Sequence, residues 1–197
     1  AFKLSNLSGD YHFIAWTTTP WTLPSNTALA VGPKIEYVLV STFNEYVQKR
    51  VSLILAKNLI TKQFGKGYTE VKYEELSSPE PKKPIGFCII GECQGSDLVG
   101  IEYEQLMPFT LPCENPEKAF KVISGDFVTT EDGTGIVHIA PTFGQDDALV
   151  AKEAGVPAML VLDDNGNQVP LVDLQGRFRP EMGEYAGKYV KNEYYAD

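Results

Sequence analysis

From residue 11 onward the chain runs in short β-favouring segments, each cut off by glycine or proline, and that punctuation confines it to small elements. The stretch 11–18 is aromatic and β-branched and reads as a strand, after which Pro20 and Pro24 exclude regular structure and fix a rigid turn. Further short strands are expected at 28–31, 36–42, 68–73, 87–91, 100–106, 120–124, 127–130, 136–140 and 158–162. Between 45 and 64 the apolar positions Val47, Val51, Ile54, Leu55, Leu59 and Ile60 recur at helical spacing before Gly65 and Gly67, which predicts one long helix. A second, short helix is expected over 144–154, with Asp146 and Asp147 in its first turn and Gly155-Val156-Pro157 as its stop. Asp163-Asp164-Asn165-Gly166 reads as a tight turn. The expected fold class is mixed α/β, dominated by short strands, with a β-barrel-like core and a few peripheral helices.

Composition narrows the function classes. At 197 residues the chain suits a single domain, taken as 1–197. Its net charge of −9 argues against a broad face for duplex nucleic acid but leaves room for contact with a nucleic-acid end. The longest apolar runs are far too short for a bilayer, so no membrane partner is expected. Three cysteines, Cys88, Cys93 and Cys113, cannot all pair, which favours a reduced, cytoplasmic setting. The opening Ala1-Phe2-Lys3-Leu4 reads as a cut from a longer polypeptide.

Two clusters carry chemistry. In Trp16-Thr17-Thr18-Thr19-Pro20-Trp21-Thr22-Leu23-Pro24-Ser25-Asn26, uncharged hydroxyls are held by a proline turn, able to orient water or grip a carbonyl or amine. By composition alone such a run is more often a threonine-rich strand entering a turn. The second cluster, His138 to Asp147, sets an imidazole and two carboxylates near one rim. A single histidine in an apolar strand is more often a core residue, and paired aspartates at a helix start usually cap it. No zinc spacing, phosphate loop or serine-hydrolase elbow is present, so neither a metal nor a cofactor is expected.

Taken together the segments resemble the editing domain inserted into isoleucyl-tRNA synthetases, connective polypeptide 1. The likeness rests on the threonine motif, on Gly95-Ser96-Asp97-Leu98-Val99-Gly100-x-Glu102-Tyr103, and on Gly133-Thr134-Gly135-Ile136-Val137-His138-Ile139-Ala140-Pro141-x-Phe143-Gly144-x-Asp146-Asp147. Weaker echoes follow at Val172-Asp173-x-x-Gly176-x-Phe178 and Ala186-Gly187-Lys188-x-Val190. Thr-Thr-Thr-Pro-Trp at 17–21 sets it apart from the sister valyl and leucyl domains, which look like Thr-Thr-Arg-Pro at that place. The synthetase's own ATP-binding signatures are absent from the chain.

The resemblance implies hydrolysis of valine mischarged on tRNA(Ile). A hydrophobic pocket separates isoleucine from valine by about 1–3 kcal/mol, a known limit of that system rather than a value derived from this chain, and a second sieve makes up the difference. It further implies that Thr17, Thr18 and Thr19 grip the ester and position water, and that Asp147 anchors the α-amino group, with Asp146 second. Trp21 and His138 would be walls; Asn26 would contact the terminal adenosine or support the turn. The implied partners are the 3′ CCA end of tRNA(Ile) carrying valine and the rest of the parent synthetase, with the domain itself a monomer. A non-catalytic tRNA-positioning insertion and a sister valyl- or leucyl-type specificity are the alternatives.

Overall fold

The computed structural model describes residues 1–5 and 9–191. Eleven strands are present among them: β1 Phe2–Lys3, β2 Tyr11–Phe13, β3 Ala28–Val31, β4 Glu36–Phe43, β5 Arg50–Ala56, β6 Tyr68–Glu70, β7 Ile85–Gln94, β8 Lys121–Ser124, β9 Ile136–Ile139, β10 Leu160–Leu162 and β11 Gln168–Pro170. Three α-helices accompany them, α1 Ile60–Gln63, α2 Gly95–Leu98 and α3 Gln145–Glu153. No described helix is long and apolar enough to cross a membrane. The mixed, strand-dominated class expected from the sequence is what the chain adopts.

Two compact units form, interleaved in sequence. The first comprises Ala1–Thr17, Leu29–Glu104 and Val122–Val137; the second comprises Thr18–Ala28, Gln105–Lys121 and His138–Asp197. The largest sheet, in the first unit, has the order β1-β2-β5-β4-β7-β6. Its ladders are antiparallel except β2 with β5 and β6 with β7. With β1 and β6 left as edges the sheet is open, and no closed barrel forms among the described residues. A separate three-stranded sheet has the order β8-β3-β9.

The main correction to the sequence reading is at 45–64. Residues 50–56 are a strand, β5, and helix survives only at α1. The periodicity misleads because 51–56 is also an almost unbroken apolar run, the pattern of a strand covered on both sides. β5 lies between β2 and β4 and exchanges a seven-residue register with β4, from Tyr37 opposite Ala56 to Phe43 opposite Arg50. The reversal before it is local chemistry: Asn44 Oδ1 accepts the amides of Tyr46 and Val47 at 2.9 and 3.1 Å, and Gln48 takes φ +53°. Other expected strands also shrink: 68–73 keeps Tyr68–Glu70 and 158–162 keeps Leu160–Leu162. The stretch 11–18 ends its strand at Phe13, 100–106 keeps isolated bridge positions at Glu102 and Tyr103, the latter opposite Leu4, and 127–130 is irregular.

Packing in the first unit centres on Val38, Val40, Leu55, Phe64 and Phe87, with Phe64 and Phe87 stacked at 5.0 Å. Tyr37 ties this unit to its own Gly-Thr-Gly turn. Its buried hydroxyl accepts the Gly32 amide at 3.0 Å and donates to the Gly135 carbonyl at 2.5 Å. Burial pushes the phenol up to about 12. Gly135 sits at φ +73° with room for no side chain, since a Cβ there would stand 2.4 Å from that of Ala56. The second unit packs Met159, Val161 of β10, Leu171 and Met182 into a cluster of its own, beside the antiparallel pair β10 and β11. Its expected turn at 163–166 is present, with Asp163 Oδ1 accepting the amides of Asn165 and Asn167 at 2.9 and 2.8 Å.

Replacing Tyr37 by Phe strands the Gly32 amide and the Gly135 carbonyl in the core. Unfolding in urea should show a loss of about 1–3 kcal/mol with an unchanged m-value.

Candidate functional site

Proline at the first position starts the six-residue 3-10 turn Pro20–Ser25, because its fixed φ suits the turn and its missing amide would have no partner there. Thr19 precedes it, and a 3-10 turn brings residues three apart into register. Thr22 therefore folds back on Thr19. Its amide and its Oγ1 both reach the Thr19 carbonyl, at 3.0 and 2.8 Å, and the two hydroxyls lie 3.4 Å apart. The turn closes with the Asn26 amide on the Leu23 carbonyl at 3.1 Å. Thr27 then pairs on both sides, its amide to Ile139 at 3.0 Å and its carbonyl to the Phe120 amide at 2.7 Å.

These bonds carry the proline turn to the end of β9, where His138 sits only 8 % exposed. Its Nε2 lies 2.9 Å from Thr22 Oγ1 and its Nδ1 3.5 Å from Asn26 Nδ2. Asn26 Nδ2 also donates to the Ala28 carbonyl at 2.8 Å and reaches that of Ile139 at 3.4 Å. Burial lowers the imidazole's pKa, and the negative charge of Asp147 partly offsets this.

Asp147 stands in the first turn of α3 and accepts the Ala140 amide on Oδ2 at 2.8 Å. Oδ1 takes no hydrogen bond among the described residues, and Asp147 is half-buried. Gly144 gives the carboxylate its room: a Cβ there would lie 3.3 Å from the Asp147 Cγ.

Of the residues singled out from sequence, Thr19, Asn26, His138 and Asp147 thus belong to one neighbourhood. Thr18 is exposed on the bend before the turn and Asp146 is exposed on α3. Thr17 is half-buried at the end of the first unit. Trp21 points elsewhere, into a groove of about 450 Å³ with Pro20, Pro24, Met107, Phe178 and Tyr185. The Lys191 ammonium lies 4.0 Å from its ring centroid, and His138 is not among the residues lining that groove. Thr22 was not singled out from sequence; its signal is the spacing of three from Thr19 behind a helix-starting proline.

Because the buried imidazole resists protonation, the unfolded chain takes up the proton first as pH falls below about 6.5. Stability contributed by neutral His138 is complete above that pH and is lost on the acid side. Urea midpoints measured between pH 8 and 5 should fall in the wild type, and the fall should be shallower in His138→Gln.

Comparison with known proteins gives a consistent assignment. No protein-family model matches the chain. It is 59% identical over 199 residues to an isoleucine–tRNA ligase of Cytophaga hutchinsonii, covering 100% of this chain and 18% of that protein. It is 50% identical to one of Bacteroides fragilis, covering 94% and 17%. The chain therefore spans under a fifth of the length of these relatives. Its fold is shared with the crystal structure of GlLeuRS-CP1, at TM-score 0.56 and 16% identity over 95% of this chain and 79% of that one. The P. knowlesi cytosolic leucyl-tRNA synthetase editing domain follows at TM-score 0.51 and 16% identity, covering 73% and 50%.

Proposed function

We propose, for a chain homologous over its whole length to one segment of the isoleucine–tRNA ligases, that residues 1–197 form an editing domain that hydrolyses valine from mischarged tRNA(Ile). The observation that carries this is the convergence of an uncharged hydroxyl turn, a buried imidazole and a half-buried carboxylate with one oxygen unspent. An aminoacyl ester is already activated, so positioning a water and stabilising charge supply much of the rate without a covalent nucleophile or metal.

The roles divide by chemistry. The substrate's ammonium needs a carboxylate, and Asp147 offers Oδ1 while Oδ2 is held by the Ala140 amide. Asp146, exposed on the same helix, is the second choice. Thr17, Thr18 and Thr19 orient the ester and water, with Thr19 fixed by its bond to Thr22. His138 is a wall that admits valine and rejects isoleucine, and rigidity matters because forcing one extra methylene into a tight site costs only about 1–3 kcal/mol. Trp21 walls the neighbouring groove, which suits the flat or apolar parts of the acylated 3′ CCA end. Asn26 supports the turn and His138 rather than the adenosine, since its Nδ2 is held by the Ala28 carbonyl and faces the His138 ring. The rest of the parent synthetase would hold the tRNA body, in the cytoplasm, with this domain a monomer within it.

Deacylation of Val-tRNA(Ile) and Ile-tRNA(Ile) tests this, and Asp147→Asn is the informative variant because its amide oxygen can still accept from Ala140. Loss of the charge should slow valine release about 10- to 100-fold, as expected for one charge-assisted hydrogen bond. His138→Ala should keep valine hydrolysis and begin to release isoleucine. Unchanged hydrolysis in Asp147→Asn would favour a non-catalytic insertion, and preference for threonyl-tRNA a valyl-type specificity.

A further inference from the structure

We propose that Thr22 and Asn26 are positioning residues that clamp His138 from both sides as the neutral Nε2–H tautomer, leaving neither ring nitrogen free to act on a ligand. Two constraints lead to the same tautomer independently. On one side, Asn26 donates through Nδ2 to the Ala28 carbonyl at 2.8 Å, and turning the amide over would set its oxygen against that carbonyl. The NH2 group therefore faces Nδ1 at 3.5 Å, so Nδ1 must present a lone pair rather than a proton.

On the other side, the Thr22 hydroxyl has a single proton, and the Thr19 carbonyl takes it at 2.8 Å. What remains for Nε2, at 2.9 Å, is an oxygen lone pair, so Nε2 must carry the hydrogen. A proton on Nδ1 instead would meet the Asn26 amide donor to donor, with no carboxylate in hydrogen-bond contact with the ring among the described residues. Both constraints hold with the neutral ring alone.

The consequence is a division of labour inside the site. A general base needs a lone pair aimed at the water it deprotonates, and here Nδ1 is turned to Asn26 while Nε2 is spent on Thr22. The imidazole acts instead as a fixed apolar edge whose angle is set by two hydrogen bonds. Thr22 also grips the Thr19 carbonyl, so the hydroxyl turn and the wall are set by one side chain. That this edge selects among aminoacyl groups rests on the editing function proposed above; the clamp itself does not.

The chain has two histidines, His12 and His138, so nitrogen-15 spectra of the labelled 197-residue chain can be assigned by subtraction with His12→Gln. Long-range proton–nitrogen correlations should show His138 with a pyrrole-type Nε2 and a pyridine-type Nδ1. In Thr22→Val the Nε2 proton should exchange with solvent about five-fold faster, the effect of losing one hydrogen bond, and in Thr22→Ser its protection should return. A protonated Nδ1, an averaged pair of tautomers in the wild type, or unaltered Nε2–H protection in Thr22→Val would overturn the proposal. If Thr22→Val fails to fold, the wild-type spectrum and Thr22→Ser still decide. The spectra need no substrate, so failure of the clamp and failure of the editing function are separately readable.

Discussion

A buried neutral imidazole needs one acceptor and one donor, and the way His138 meets that need organises everything around it. Thr22 and Asn26 are its neighbours because the chain between them turns tightly over Pro20–Ser25, and they hold it because each is itself tied to backbone. A hydrogen bond contributes little net stability, but a buried group left without one costs about 1–3 kcal/mol, so the arrangement is specified by the cost of any alternative. The turn, the end of β9 and the ring are therefore determined together.

Asp147 extends the same logic one step along the chain. Its Oδ2 is fixed by the Ala140 amide, two residues beyond His138, and the absence of a side chain at Gly144 leaves space for it. One carboxylate oxygen is thus held by backbone while the other is available to a cation. For the editing function proposed here, an anchor and a wall held by separate backbone contacts make sense. Discrimination of a methylene depends on the wall not yielding, and catalysis by positioning depends on the anchor not drifting.

Where the sequence misleads, the cause is tertiary. At 50–56 the residues satisfy a helical spacing and a buried strand equally well, and β2 and β4 on either side select the strand. At 100–106 the residues favour extended structure, but among the described residues the pairing stops at isolated bridges of Glu102 and Tyr103, so no strand develops. Trp21 shows the same limit at the level of one side chain. It belongs to the most distinctive motif, yet it turns toward Lys191 and Phe178, which lie more than 150 residues away.

Local chemistry alone determined the proline turn at 20–25, β3, the helix at 145–153 and the Asp163 turn, because proline, glycine and short polar side chains act on their own backbone. The chemical inventory of the site was legible for the same reason: hydroxyls, imidazole and carboxylate are named by the residues themselves. Which of them meet was decided only by the tertiary structure. Thr22 reaches His138 across 116 residues, and its hydroxyl became part of the site only when strand pairing at Thr27 brought the turn to the end of β9. Sequence sets what a side chain can donate or accept, but long-range pairing decides what stands opposite.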